Sequence, residues 1–256
     1  MTSKNNWTRD EHILAFNLYC KIPFSKINSS FEPVKKLAMI LGRTKGSVAM
    51  KLANFARLDP ALRERNIKGL SQGAKGEADV WKEFNGNWES LAIQSEQLLA
   101  TYKNEPLELS SGIATEDIIK EGEEREAIIK ARIGQNFFRS GILASYDGKC
   151  CITGLAVPEL LVASHIIPWS DKKEFRLNLN NGLCLNALHD KAFDRGLMTI
   201  TPDYIIRFSD ILLEKTKKIE LDTLFLPYHN NRITLPQKFF PLREFLEYHN
   251  QNVFLL

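Results

Sequence analysis

The sequence predicts an α+β protein built in two parts, a helical basic front and a back in which strands, helix and hairpin follow one another. Three observations carry that expectation. Apolar residues recur at three- and four-residue spacing through the first hundred positions, as amphipathic helices require. Charge is segregated: Lys35 to Lys75 holds ten bases against Asp59 and Glu64, a local charge of +8 in a chain whose total is +3. From Cys150 onward the texture changes to short apolar runs punctuated by glycine, proline and asparagine.

At 256 residues the chain is long enough for one large domain or two small ones. No run of 18 or more apolar residues exists, so no membrane span is expected. The polar start Met1-Thr2-Ser3-Lys4-Asn5-Asn6 does not read as a secretory signal. The cysteines are Cys20, Cys150, Cys151 and Cys184, with no C-x-x-C pair. Neither a disulfide framework nor a structural zinc site is expected, which points to a cytoplasmic location.

Thr8, Glu11 and Trp7 form a capping box with a hydrophobic staple, opening a first helix that carries Ile13, Leu14, Phe16, Leu18 and Tyr19. A second helix follows from Pro33, with Val34, Leu37, Ala38, Ile40 and Leu41 inward. Gly42-Arg43-Thr44-Lys45-Gly46 is a tight turn, and Ser47 is positioned to cap a third helix. Helix, glycine turn and basic helix read as a helix-turn-helix. The segment is similar to the turn of small three-helix DNA-binding domains, and the Trp7-Thr8 opening resembles Myb-like and homeodomain-like repeats. That likeness makes Thr44, Lys45, Lys51 and Arg57 the expected DNA contacts. A Gly-rich loop is expected over Gly69 to Gly76, then one helix from Ala78 to Tyr102. Residues 105–114, with Pro106, Ser110, Ser111 and Gly112, read as a linker between a helical domain (1–104) and a second domain (115–256). Thr115 to Ser145 is a long helical pattern with acids crowded at its start, which Gly134 is placed to interrupt.

In the second domain, Cys150 to Gly154 reads as a short strand and Leu160 to Trp169 as a second one with His165 near its end. A helix from Asn181 to Gly196 follows, then a hairpin of Leu197–Ile200 and Tyr204–Phe208. The set Ser164-His165-Ile166-x-Pro168-Trp169, Asn181-Gly182-Leu183-x-Leu185 and Leu188-His189-Asp190-x-x-Phe193-Asp194-x-Gly196 resembles the HNH endonucleases, in particular the bacterial branch without zinc-binding cysteines. Gly134-Gln135-x-x-Phe138-Arg139 and Ile233-Thr234-Leu235-Pro236 agree with it, so the likeness covers about half the chain.

The resemblance implies a ββα-metal fold and divalent-metal-dependent hydrolysis of DNA phosphodiesters. It makes His165 the general base, Asn181 the brace that holds it in register, and His189 a metal ligand on the helix. Asp194 is a second ligand candidate, although at five residues from His189 it sits off that residue's helix face. Ser164 stands where many relatives carry an acid or histidine. Arg176, in the loop beside the base, is the expected phosphate clamp. Mg²⁺ is the expected ion, with Mn²⁺ an alternative. A restriction-type role follows by the same likeness, and a homodimer would let single-strand sites cut both strands. The alternatives are a DNA-binding regulator on an inactive scaffold and a nonspecific or RNA-directed nuclease.

Overall fold

The computed structural model describes residues 6–65, 75–114 and 122–255. The chain divides into two compact units, Met1–Ser145 and Tyr146–Leu256. The division lies at the end of the long helix rather than within the 105–114 segment read as a linker. That segment contains a turn of helix, and the long helix packs with the first unit.

The first unit is all helical: α1 (Arg9–Lys21), α2 (Glu32–Leu41), α3 (Lys45–Ala56), α4 (Pro60–Glu64), α5 (Lys75–Phe84), α6 (Trp88–Lys103), α7 (Leu107–Ser110) and α8 (Gly122–Ser145). The capping box at Thr8 forms in both directions, Thr8 Oγ1 accepting from Glu11 N and the Glu11 carboxylate accepting from Thr8 N. α1 is the hub, lying against α2, α3, α5, α6 and α8. Ile13, Leu14, Ala15, Phe16, Tyr19 and Cys20 are all buried, so this helix is apolar nearly all round, as a central helix must be. Phe16 stacks on Phe55 of α3 at 4.9 Å and tilts against Trp81 of α5 at 5.1 Å. Tyr19 donates to Asp59 at 2.7 Å, and the other oxygen of Asp59 caps α4 at Ala61 N.

Two buried ion pairs fix the helix-turn-helix. Arg43, in the turn between α2 and α3, reaches both carboxylate oxygens of Glu11 at 2.8 and 2.7 Å. Lys51 of α3 pairs with Glu77 of α5, which also accepts from Asn54 at 2.9 Å. Three sequence expectations change here. Thr44, not Ser47, caps α3, its hydroxyl accepting from Ser47 N. The single helix expected over 78–102 is two, because Asn85-Gly86-Asn87 breaks it with Gly86 at φ +96°. Gly134, by contrast, is buried within an unbroken α8. The Gly-rich loop over 69–76 lies outside the described residues except for Lys75 and Gly76, which begin α5; the Thr115 start of the long helix lies outside them too.

The second unit is organised by two hairpins. β1 (Leu161–His165) pairs antiparallel with β2 (Gly182–Asn186), Ser164 opposite Leu183 and His165 opposite Gly182. α9 (Ala187–Asp194) follows at once and packs on both strands. β3 (Met198–Ile200) then pairs with β4 (Ile206–Phe208). α10 (Asp210–Lys215), α11 (Lys218–Glu220) and a tight turn over 221–228 lead to α12 (Arg243–Asn252). The order strand, strand, helix is as expected, but the second strand is a different segment. Cys150–Gly154 is a turn, and Gly182–Asn186, expected as the start of the helix, is β2. Gly182 to Leu185 is apolar and buried on both faces, so it lacks the alternation that marks an exposed strand. Asn186 ends it by capping α9, its Oδ1 accepting from His189 N at 2.9 Å. Beyond α9, Gly196 takes φ +68°, and a Cβ there would meet Val253 O at 2.1 Å. The four cysteines are all buried, and no disulfide joins them. No described helix is long and apolar enough to cross a membrane.

Removing Arg43 strands the Glu11 carboxylate in the core. Arg43→Ala is therefore expected to lower the unfolding free energy by about 3–5 kcal/mol in urea denaturation, whereas Arg9→Ala, at the exposed Arg9–Glu83 pair, changes it by less than about 1 kcal/mol. A loss at Arg43 no larger than that at Arg9 would refute the assignment. His249 of α12 donates from Nε2 to Phe193 O and accepts from Thr199 at 2.8 Å. Its burial lowers the imidazole to about 4, against the opposing effect of the Phe193 carbonyl. The unfolded chain then binds the extra proton first. Stability from this group is complete above the ordinary imidazole value of about 6.5 and declines as pH falls toward 4, by up to about 3 kcal/mol. Urea midpoints measured across that window should show the decline in the native chain and a smaller one in His249→Asn.

Candidate active site

β1 ends at His165, and the loop from Ile166 to Asn181 returns the chain to β2. One side chain closes that loop. Asn181, 1% exposed, accepts from Ile167 N at 2.8 Å and donates to Ile167 O and Phe175 O, each at 3.2 Å. Its own carbonyl accepts from Ile166 N at 3.0 Å. Both ends of an amide are thus spent on the backbone beside His165, and a shift of the loop breaks them together.

The loop in turn presents Arg176 to the histidine in two ways. His165 Nε2 lies 2.8 Å from the Arg176 carbonyl oxygen. A carbonyl only accepts, so Nε2 carries the proton and the basic lone pair is on Nδ1. The Arg176 guanidinium packs over the Trp169 ring at 4.8 Å and donates from Nε to Trp169 O at 2.8 Å. Trp169 stands edge to face with His165 at 5.3 Å. Burial holds the His165 imidazole below its ordinary value, the Arg176 carbonyl opposes this, and the nearby guanidinium charge adds to the lowering. The ring is therefore neutral and basic at neutral pH, as a proton acceptor needs to be.

The helix supplies carboxylates. Asp190 and Asp194 are four residues apart on α9 and so share a face. Burial raises both carboxyls, and the Asp190 charge raises Asp194 further. Across from them is β1. The buried Ser164 hydroxyl has no well-formed hydrogen bond, and what it does contribute favours the charged form of Asp190. Two like charges held together, with a buried hydroxyl beside them and no ion pair to either among the described residues, fit a small hard cation, which takes oxygen ligands. A divalent ion of the magnesium type fits these residues. Among the described residues no three His, Cys, Asp or Glu side chains gather into a ligand cluster.

His189 is elsewhere. It is 1% exposed, accepts from Asn186 Nδ2 at 3.0 Å and donates from Nε2 to Leu224 O at 3.1 Å. Phe225 and Tyr228 meet its ring edge-on at 6.0 and 5.5 Å. Both ring nitrogens are engaged, one with Asn186 at the end of β2 and the other with the 221–228 turn. Asp190 is not among the candidates the sequence motif names, although its i, i+4 spacing to Asp194 is in the sequence.

The expected DNA contacts divide similarly. Lys45 is exposed at the first turn of α3 and Arg57 is half-buried at its end. Thr44 spends its hydroxyl on the cap and Lys51 is buried against Glu77.

Comparison with known protein families matches residues 150–201 to HNH_2, described as HNH endonuclease. No curated protein gives a significant match. The matched segment spans the turn at Cys150, β1, the braced loop, β2, α9 and β3, and so contains His165, Asn181, Asp190 and Asp194. Residues 150–201 thus match an HNH endonuclease domain, and that match implies a nuclease-type function for this segment.

Proposed function

We propose that the chain is a divalent-metal-dependent endonuclease that hydrolyses DNA phosphodiesters, with His165 as the general base. The observation that carries this is the fixing of His165: Nε2 is tied to the Arg176 carbonyl and the loop behind it is clamped by Asn181. Nδ1 is thereby the nitrogen that takes a proton from the attacking water. The Arg176 guanidinium, oriented by Trp169 and with its terminal amino groups unbonded among the described residues, binds a phosphate oxygen. Asp190 and Asp194 hold the ion, with Ser164 and water completing its shell. A bound divalent ion supplies charge neutralisation at the phosphoryl group and the leaving 3′ oxygen. The basic helix-turn-helix of the first unit holds duplex DNA, Lys45 and Arg57 being its accessible bases. A nuclease domain joined to a separate DNA-binding unit supports a restriction-type role in defence, acting as a homodimer where both strands are cut.

The second reading is a DNA-binding regulator on an inactive scaffold, favoured by Ser164 standing beside only two carboxylates. Plasmid cleavage with Mg²⁺, Mn²⁺ or EDTA, on unmodified and methylated DNA, separates the two. Metal-dependent nicking or linearisation supports the endonuclease; a salt-dependent gel shift with no cutting under any metal favours the regulator. His165→Ala is expected to lower the cleavage rate by about 10²–10⁴ while leaving DNA affinity within a few-fold, and near-native cutting by that variant would remove His165 as the base.

The helix residues are tested by Mn²⁺ titration. Asp190→Asn is expected to weaken Mn²⁺ binding by about ten-fold or more, since a charged ligand is lost. His189→Gln is expected to keep Mn²⁺ affinity and lower the thermal midpoint instead. The reverse pattern would restore His189 as the ligand.

A further inference from the structure

α3 carries little hydrogen-bonding chemistry on its outward surface. The two polar side chains in its body, Lys51 and Asn54, turn inward to the Glu77 carboxylate. Thr44 is consumed as the cap, and the Ser47 hydroxyl accepts from Trp7 Nε1 at 3.2 Å. What faces out between Lys45 and Arg57 is apolar. Met50 is 59% exposed, and Met39 of α2, one turn before the Gly42 turn, is 76% exposed. Both lie on helices that pack on one another, α2 and α3, and an occupant would cover them. The charge carried by the same stretch of chain decides which one. Lys36 of α2 and Lys45 of α3 are exposed, and Lys35 and Arg57 are half-buried, which complements a polyanion rather than an apolar protein surface.

Resting on the DNA-endonuclease reading above, we infer that α3 reads duplex DNA in the major groove by apolar contact, with Met50 packing on the C5-methyl group of a pyrimidine. Thymine and 5-methylcytosine both present that methyl in the major groove, where it is the one apolar group on the base edges. Lys45 and Arg57, at opposite ends of the helix, hold the flanking phosphates and set the register. Sequence information then comes from methyl positions rather than from bidentate hydrogen bonds, because no outward amide or carboxylate is there to make them.

The test uses the full chain in EDTA, so that binding is read without cutting. Duplexes are selected from a randomised pool, and affinity is measured by fluorescence anisotropy on the enriched site. The same site is then made with uracil for each thymine, and with 5-methylcytosine for cytosine. Removing a contacted methyl is expected to weaken binding about four-fold, the value of one buried carbon. Met50→Ala is expected to bind thymine and uracil forms equally, while Lys45→Glu weakens binding to every duplex alike. Because the uracil arm uses the unaltered protein, it does not depend on the folding of a variant. An enriched site indifferent to methyl removal would overturn the inference, as would Met50→Ala retaining the discrimination. Salt-dependent binding with no enriched site would overturn it too, while leaving the endonuclease reading intact. Absence of any binding, together with no plasmid cleavage in Mg²⁺, would instead sink the reading on which it rests. If sedimentation shows a dimer that Met50→Lys dissolves, the face belongs to a second copy of the chain and the inference is wrong.

Discussion

The side chain of Asn181 is the constraint on which the second unit's chemistry depends. It accepts from and donates to the same residue, Ile167, and donates again to Phe175. These bonds close a loop of irregular backbone whose polar groups would otherwise be buried without partners. The carbonyl of Arg176, next to Phe175, is thereby held where it receives the proton of His165 Nε2. The tautomer of His165 is thus set through the side-chain amide of Asn181. A carboxylate at 181 would offer acceptors only and leave two carbonyls unsatisfied, so the position requires an amide for reasons independent of the reaction.

The two units treat buried charge in opposite ways. In the helical unit the two fully buried glutamates each have a cation on them, Glu11 with Arg43 and Glu77 with Lys51. These pairs fix α1, α3 and α5 relative to one another. On α9, burial raises both Asp190 and Asp194, and the Asp190 charge raises Asp194 further, with Lys191 and Arg195 opposing. An added positive charge relieves such a pair. On the proposed reading, that difference separates carboxylates that hold the fold from carboxylates set aside for an ion.

Much of the helical unit was legible in the sequence because its signals are local. The Thr8–Glu11 box, the Gly42 turn and the spacing of Val34, Leu37 and Leu41 each involve residues within one or two turns. What the sequence does not carry lies where the deciding partner is distant. Lys51, a candidate DNA contact, is buried against Glu77 further along the chain, and His189, a candidate ligand, has the Leu224 carbonyl and the Tyr228 ring around it. β2 is hidden because a strand buried on both faces has the apolar run of a helix segment without the alternation of an edge. Cys150–Gly154 is a turn rather than a strand, with Gly154 at positive φ. Of the candidate site, His165 and Asn181 are legible as a motif, whereas Asp190 follows from the i, i+4 rule applied to Asp194.

The consequence for function is a division of labour between charge types. Phosphate recognition is assigned to flexible surface bases such as Lys45 and to Arg176, whose guanidinium is steadied by an aromatic ring. Chemistry is assigned to groups whose protonation is fixed by burial, His165 above all. A surface base gives affinity that salt erodes, but a buried base tied to a carbonyl keeps its pose whatever the salt. On the proposed reading, binding and cutting rest on physically different interactions, and changes that weaken one leave the other's determinants in place. That separability is what a nuclease needs if its target is to change while its reaction stays the same.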